Sequence, residues 1–276
     1  MTMNDKYVIL LTGSINPKGM IYTAITDTKI RKQQYIEAIR FYLKHTSVPV
    51  VFCENTLSSI EKEEIGISED DSRIEILTFD GNNFDKSLGK GYGECEIISY
   101  AISHSRMLGE TDYIIKITGR IIINNIGSFI NEHHRMPSGA IQALTPTKNK
   151  FIESRLIISP PSFFSKYFIP KKNLLNDSKQ YYFEHLLYDT ILHQDDFLFV
   201  PFMVFPDYEG QSGTLGGKIR TCSNWEELHY KKDTCLFISK SHGEYPMKKI
   251  PTKIRMFSRL KLLIIYFQLF KYKIKP

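Results

Sequence analysis

No Cys-x-x-Cys pair occurs in this 276-residue chain. Its four cysteines, Cys53, Cys95, Cys222 and Cys235, stand far apart, which excludes a zinc ribbon and a thioredoxin-like motif. Free thiols in a reducing cytoplasm are the simplest reading, with one disulfide left open. The amino end, "MTMNDKYVILLTGSINP", lacks the charged, apolar and small-residue regions of a signal peptide and reads as a first strand. Internal repeats and low-complexity linkers are also missing. Carboxylates are absent from the end of the chain: from Lys248 onward there are nine Lys/Arg and no Asp or Glu. The remainder, residues 1–247, holds 27 cations against 30 anions, a net of −3. A mildly acidic body with a strongly basic tail points to a localised anionic partner, nucleic acid or an anionic membrane surface.

What the chain does have is apolar and aromatic bulk. Eighteen Phe, sixteen Tyr and an apolar content of 42% suffice for a substantial core in one large domain or two small ones. "YVILLTGSI" (Tyr7–Ile15) is a continuous apolar run bounded by Gly, Asn and Pro, as in a strand buried on both faces. In "DTKIRKQQYIEAIRFYLKHT", Ile30, Tyr35, Ile36, Ile39, Tyr42 and Leu43 recur at helical spacing, with Asp27 or Thr28 as N-cap. "VPVVFCEN" (Val48–Asn55), "SRIEILTFD" (Ser72–Asp80) and "DYIIKITGRIII" supply three more strands, and "GECEIISYAISHSRML" a second helix. Strands alternating with helices predict an α/β domain with a mostly parallel sheet. After about residue 135 the pattern changes. "SGAIQALTP" and "RLIISPPSFFSKYF" read as strands, "LLNDSKQYYFEHLLYDTILHQ" as a third long helix, and "EGQSGTLGGKIR" as a glycine-rich loop. The second half is expected to extend the same sheet.

Ligands of such sheets sit beyond the carboxyl ends of the strands, which places Thr12–Asn16, Glu54–Asn55 and Thr118–Arg120 on one rim. The stretch "DYIIKITGRIIINN" is unusual in carrying Lys116 and Arg120 where apolar residues are expected. Lys116, Thr118 and Arg120 share one face by the two-residue period. One reading has Arg120 in solvent and Lys116 snorkelling. The other has both cations pairing with phosphate, whose charge and oxygen geometry they match.

"YVILLTGSINPKG", "VVFCEN", "GKGYGECEIISYAI", "DYIIKITGR", "YFEHLLYD" and "EGQSGTLGG", in that order, resemble small bacterial glycosyltransferases of capsule and O-antigen gene clusters, of the GT-A superfamily. The resemblance covers roughly residues 6–220. It implies a GT-A-like, Rossmann-type sheet flanked by helices in one catalytic domain over residues 1–247, with a donor half to about 135 and an acceptor half from about 136. The implied reaction moves a sugar, a hexose for preference, from a nucleotide-diphosphate donor, UDP-sugar favoured, to a lipid-linked oligosaccharide. Thr12, Gly13 and Ser14 would border the nucleotide. Glu54 would accept from the base or ribose, or else be a solvated loop carboxylate. Gly89, Gly91 and Gly93 would let the backbone approach the donor, with Lys90 adding charge, or else form an ordinary turn.

A common pattern of that superfamily ends the fourth strand with a metal-binding Asp-x-Asp. Here the place reads Thr118-Gly119-Arg120, a poor substitute for two carboxylates, and Asp70–Asp71 and Asp195–Asp196 lie elsewhere. The resemblance then implies that cations replace the metal: Arg120, Lys116 and Lys218 or Arg220 would stabilise the departing diphosphate. No metal or other cofactor is expected, with Mn²⁺ or Mg²⁺ as the alternative. For an inverting reaction Glu184 and Asp189 are candidate bases and His185 a weaker one, with burial beside aromatic residues raising the pKa of Glu184. Ser212 and Gly213 would lie near phosphate in a loop that closes over the site.

In the tail, Leu260, Leu263, Phe267 and Phe270 share one helical face, and Lys261, Gln268 and Lys271 the other. The apolar stretch is shorter than the ~20 residues that span a bilayer. Residues 248–276 therefore read as a basic amphipathic helix lying on an anionic membrane, or as a helix docked on the core. The first reading sets the protein in the cytoplasm, peripherally attached to the inner face of the plasma membrane. Competing functions are nucleic-acid binding through the tail and nucleotidyl transfer. The apolar, aromatic character of the tail argues against the first, and the lack of rim carboxylates against the second.

Overall fold

A computed structural model of the chain describes residues 5–20, 23–213, 216–219, 222–240 and 250–274. Its centre is a five-stranded sheet of order β3-β2-β1-β4-β6. The strands are β1 (Tyr7–Gly13), β2 (Val50–Glu54), β3 (Ile74–Thr78), β4 (Tyr113–Thr118) and β6 (Leu156–Ser159). All neighbours run parallel except β6, which lies antiparallel to β4. The predicted α/β class and mostly parallel sheet are present. Two short strands, β5 (Ile122–Ile123) and β7 (Tyr208–Glu209), pair separately.

Every residue of β1 is buried, because both faces of the sheet are covered. Tyr7, Ile9 and Leu11 enter the core cluster beneath α1 (Thr28–His45). Val8 and Leu10 enter the opposite cluster, which contains Ile97, Ile98 and Leu187. A single strand thus feeds two cores by the period of two. Asp27 caps α1, accepting from the amides of Lys29 and Ile30 at 2.8 and 3.1 Å. The buried stripe of α1 differs from expectation at one place. Ile30 is half exposed, and Arg31 is buried in its stead, one turn before Tyr35.

A single turn, α2 (Lys62–Ile65), precedes β3, and α3 (Lys90–His104) follows it. The expected second helix breaks at Ser105, whose backbone is extended and whose hydroxyl caps the next turn, α4 (Arg106–Gly109). Helix α5 (Ile126–His133) follows β5. "SGAIQALTP" is not a strand: Ile141 and Gln142 form only isolated bridges, to Phe199 and Ile158. After β6 the chain turns helical at once, through α6 (Pro161–Phe163) and a run of irregular turns. The third long helix is shorter than its sequence suggested. Asn176–Tyr181 closes on itself by a β-bridge, with Gln180 in the left-handed region, and α7 starts only at Phe183 and ends at Leu192.

Two helices complete the chain, α8 (Asn224–Lys240) and α9 (Thr252–Ile274). Ile265 and Leu269 of α9 are buried with Cys235 of α8, against Leu228 and Met203. The predicted apolar face points the other way: Leu260, Leu263, Phe267 and Phe270 are all exposed. The tail therefore has a docked face and an open apolar one. Among the described residues no helix is long and apolar enough to cross a membrane. The four cysteines are free thiols.

Candidate active site

The carboxyl ends of β1 and β4, with the loop after β2, open onto a cleft of about 660 Å³. Of the residues singled out in the sequence, Thr12, Gly13, Ser14, Lys90, Gly91, Thr118, Arg120, Glu184, Ser212 and Gly213 line it. They come from five separate stretches, which the topology gathers on one rim. Gln34 fixes one wall. It accepts from Arg120 Nη1 at 2.7 Å and donates to Gln211 at 2.8 Å, so α1, the end of β4 and the glycine-rich loop are linked.

Four expected site residues stand elsewhere. Glu54 is fully buried and folds its own loop: it accepts from the amides of Thr56 and Ser58 at 3.0 and 2.8 Å and from the hydroxyls of Thr56 and Thr78. Its place on the rim is taken by Asn55, whose buried Oδ1 has no hydrogen-bond partner. Lys116 is fully buried beneath the cleft floor, 2.5 Å from Glu94, and does not line it. Asp189 accepts from Tyr181 at 2.6 Å and braces the start of α7. Gly119 supports the rim from behind: its amide donates to Thr12 O at 2.9 Å, and a Cβ would meet that oxygen at 2.5 Å. Arg220 lies outside the described residues. Lys218 lines a neighbouring hollow that shares Arg120 and Gln211 with the cleft.

The glycine triplet also has a different use from the one expected. Gly89 has φ +85°, and a Cβ there would strike the Asp177 carboxyl at 1.9 Å. Cβ atoms at Gly91 and Gly93 would meet Phe183 at 3.0 Å and Phe84 at 2.9 Å. The glycines let the start of α3 pack on the Asp177 turn and on α7. Those contacts bring Asp177 and Glu184 to the cleft.

Charge is uneven in this site. Arg31 donates to the carbonyls of Ser14 and Ile25, at 2.8 Å from Nε and 3.1 Å from Nη1. Among the described residues neither Arg31 nor Arg120 has a carboxylate partner. Burial, with the like charge of Arg31 adding, holds the Arg120 guanidinium below its ordinary pKa. Burial likewise pulls Lys90 down; Arg120 and Arg31 add to this, and Asp177 and Glu184 oppose it. Lys90 is partly balanced by Asp177 and Glu184, whereas the two guanidiniums have no such balance among the described residues, and a bound anion would supply it. Across from them burial pushes Glu184 above the usual carboxylate range; Glu94 adds to the rise, and Ser154 and Lys116 oppose it. Ser154 Oγ donates to Glu184 at 2.6 Å. Burial also raises Asp177.

Arg31, Glu94, Ser154 and Asp177 were not found by reading the sequence, whereas Asn55 was placed on the rim beside Glu54 and does line the cleft. Arg31 had a usable signal, a cation four residues before Tyr35 on the buried stripe of a helix. Glu94 had a weaker one, the carboxylate that closes "GKGYGE". Asp177 and Ser154 sit in turns with no pattern of their own.

No protein-family model matches the chain, and no curated protein matches its sequence. Among solved structures it is similar to the bifunctional glycosyltransferase WbbM, at 10% identity over 69% of this chain with a TM-score of 0.41; the chain spans 39% of that protein's length. It is similar to the mannosyltransferase Ktr4p of S. cerevisiae solved with GDP, at 12% identity over 84% of this chain and 82% of that one, TM-score 0.47. It is also similar to the galactosyltransferase LgtC solved with donor and acceptor sugar analogues, at 7% identity over 67% and 70%, TM-score 0.42.

Proposed function

We propose that the chain is a glycosyltransferase that moves a sugar, a hexose for preference, from a nucleotide-diphosphate donor to a hydroxyl acceptor. The observation that carries this reading is the cation cluster at the carboxyl rim. Arg31, Lys90 and Arg120 converge there, and neither guanidinium has a carboxylate partner among the described residues. Such a cluster suits a diphosphate, with Arg120 able to bind it bidentately. Glu184 on the opposite wall suits a general base, since its raised pKa brings it closer to neutrality. In the reaction the acceptor oxygen forms a bond to the anomeric carbon, and its proton goes to Glu184. The bond from that carbon to the phosphate oxygen breaks, and the electron pair leaves on the diphosphate. Cations are placed to stabilise that leaving charge, the role a divalent ion fills elsewhere. Transfer is accordingly proposed to be metal-independent.

The unpartnered acceptor Oδ1 of Asn55 supports a base that carries a ring N–H, as uracil and guanine do and cytosine and adenine do not; of these a UDP-sugar is the donor proposed. The open apolar face of α9, on a helix that also exposes Lys253 and Arg259, supports a lipid surface better than a nucleic-acid backbone. On this reading residues 1–247 are the catalytic unit and the tail rests on the inner face of the plasma membrane. A lipid-linked oligosaccharide of capsule or O-antigen synthesis is then the acceptor. The test is thermal shift with UDP, GDP, CMP and DNA, followed by donor hydrolysis over a panel of nucleotide sugars. Stabilisation by UDP and hydrolysis of one UDP-sugar are expected. Stabilisation by DNA alone would refute the proposal.

A further inference from the structure

Lys116 is the one charged side chain among the largest fully buried ones, and the cleft is built over it. Its ammonium has three donors, and three acceptors surround it: Glu94 Oε1 at 2.5 Å, the Ser154 carbonyl at 2.7 Å and Thr118 Oγ1 at 3.5 Å. The Phe183 ring closes the fourth side, 5.3 Å from the nitrogen. Thr12 also donates to Glu94 Oε1, at 2.9 Å. One oxygen of Glu94 is thus held from below by two donors, while the residue lines the cleft. The same ammonium grips the backbone of Ser154, whose hydroxyl holds Glu184. One buried cation therefore ties together two carboxylates that line the same cleft.

We infer that Lys116 is a positioning residue that divides labour between Glu94 and Glu184: Glu94 is held as a fixed anion, and Glu184 is left as the group that takes and releases a proton. The physical ground is an asymmetry of partners. Glu94 has an ion pair and a hydroxyl donor on one oxygen, which favour its charged form. Glu184 accepts from neutral donors, the Ser154 hydroxyl and its own backbone amide, and feels Glu94 as a like charge. A buried carboxylate with no cation of its own in contact is raised by burial and by a like charge beside it. The charged groups facing Glu184 are Glu94 and Lys90 from α3, Lys116 from β4 and Arg155 from the segment before β6. Arg155 is already paired with Glu153 at 2.5 Å. Lys90 is shared with Asp177. Lys116 is the cation placed to discriminate between the two carboxylates. This rests on the proposed role of Glu184 as base, and it explains why a strand centre carries a lysine.

The test is a pH titration of the full chain labelled with carboxyl-¹³C glutamate, the Glu184 resonance being assigned from Glu184→Gln. In Glu94→Gln the midpoint of Glu184 is expected to fall, because a like charge has gone. In Lys116→Met it is expected to rise, because the opposing cation has gone and Glu94 remains. If Lys116→Met does not fold, the double variant Glu94→Gln/Lys116→Met removes the buried charges as a pair, and its midpoint is expected between that of Glu94→Gln and the wild type. A Glu184 midpoint unmoved in Glu94→Gln would overturn the inference. The titration stands apart from the activity reading: Glu184→Gln with wild-type transfer would remove Glu184 as base and leave the titration result as it is.

Discussion

Arg31 and Arg120 meet at the same cleft but hold different things, and that difference separates binding from folding. Arg31 ties two backbone carbonyls, Ser14 and Ile25. Arg120 is held by side chains, through Nη1 to Gln34 at 2.7 Å and by a hydrogen bond with Tyr35, and by no backbone carbonyl among the described residues. Arg120→Ala should therefore lower turnover by about 10²- to 10³-fold with little change in Tm, while Arg31→Ala should lower both. Arg120→Lys should recover only part of the activity, since the planar fork is lost. Wild-type turnover in a folded Arg120→Ala would remove this residue from the mechanism. Activity of the wild type should also persist in excess EDTA; loss on chelation, restored by Mn²⁺ or Mg²⁺, would show that carboxylates bind an ion. Glu184 gives a second test with a definite sign. Its folded pKa is raised by burial, so ionising it near neutral pH penalises the folded state. Glu184→Gln should be inactive in transfer yet melt higher than wild type near neutral pH. That advantage should shrink as pH falls towards the unfolded value of about 4.3. Thr12, Lys90 and Arg120 were legible as cleft residues because each sits at a strand end or helix start, and Glu184 through the resemblance carried by "YFEHLLYD". Lys116, Glu54 and Asp189 were misassigned because their partners, Glu94, Thr56 with Thr78, and Tyr181, cannot be read from residue type. Arg31 escaped notice because Ile30, one residue away, completes the apolar pattern equally well.

At the scale of elements, continuous apolar runs were read correctly as strands, because a strand covered on both faces needs no alternation. Failures came where turn chemistry overrode period. Leu174–Gln194 has helical spacing throughout, yet the Asn176 side chain accepts from Lys179 N at 3.1 Å and the chain closes on Tyr181 before α7 can start. The delay has a use, since it puts Glu184 in the first turn of a helix facing the cleft. Two glycines test how the elements hold the site. Gly119→Ala sets a Cβ 2.5 Å from the Thr12 carbonyl, a backbone atom that cannot step aside, and should cost about 1–3 kcal/mol of stability by urea unfolding. Gly213→Ala sets one 2.9 Å from Arg120 Nη2, the far end of a flexible side chain. It should leave the urea midpoint near wild type and lower activity by displacing the guanidinium. Equal midpoints for the two variants would mean that the β1–β4 junction is looser than its hydrogen bonds indicate.

Across the whole molecule, helix α9 packs one face on the body and turns an apolar face outward. Ser258, Ile265 and Leu269 are buried, while Leu263 and Phe267, at 68% and 61% exposure, stand on the open side with Phe270. Deleting the helix would do two things at once: uncover Cys235, Leu228 and Met203, and remove the open face. Truncation before Thr252 should lower Tm whether or not the helix meets a membrane, and so cannot decide its role. Substituting only the open face can. Leu263→Asp, Phe267→Asp and Phe270→Asp together leave the docked residues in place, so Tm should stay near wild type. The wild type should sediment with vesicles containing phosphatidylglycerol, and the triple variant should not. High salt should weaken the wild-type association, because attraction between the basic tail and an anionic leaflet is screened. It should not abolish it, because the exposed Leu and Phe side chains bury apolar area on contact. Transfer to a water-soluble acceptor analogue should be equal in the two proteins, and transfer to a lipid-linked acceptor should fall in the variant. A triple variant that sediments like the wild type would leave the open face without a membrane role, and the basic charge of the tail would then need another partner.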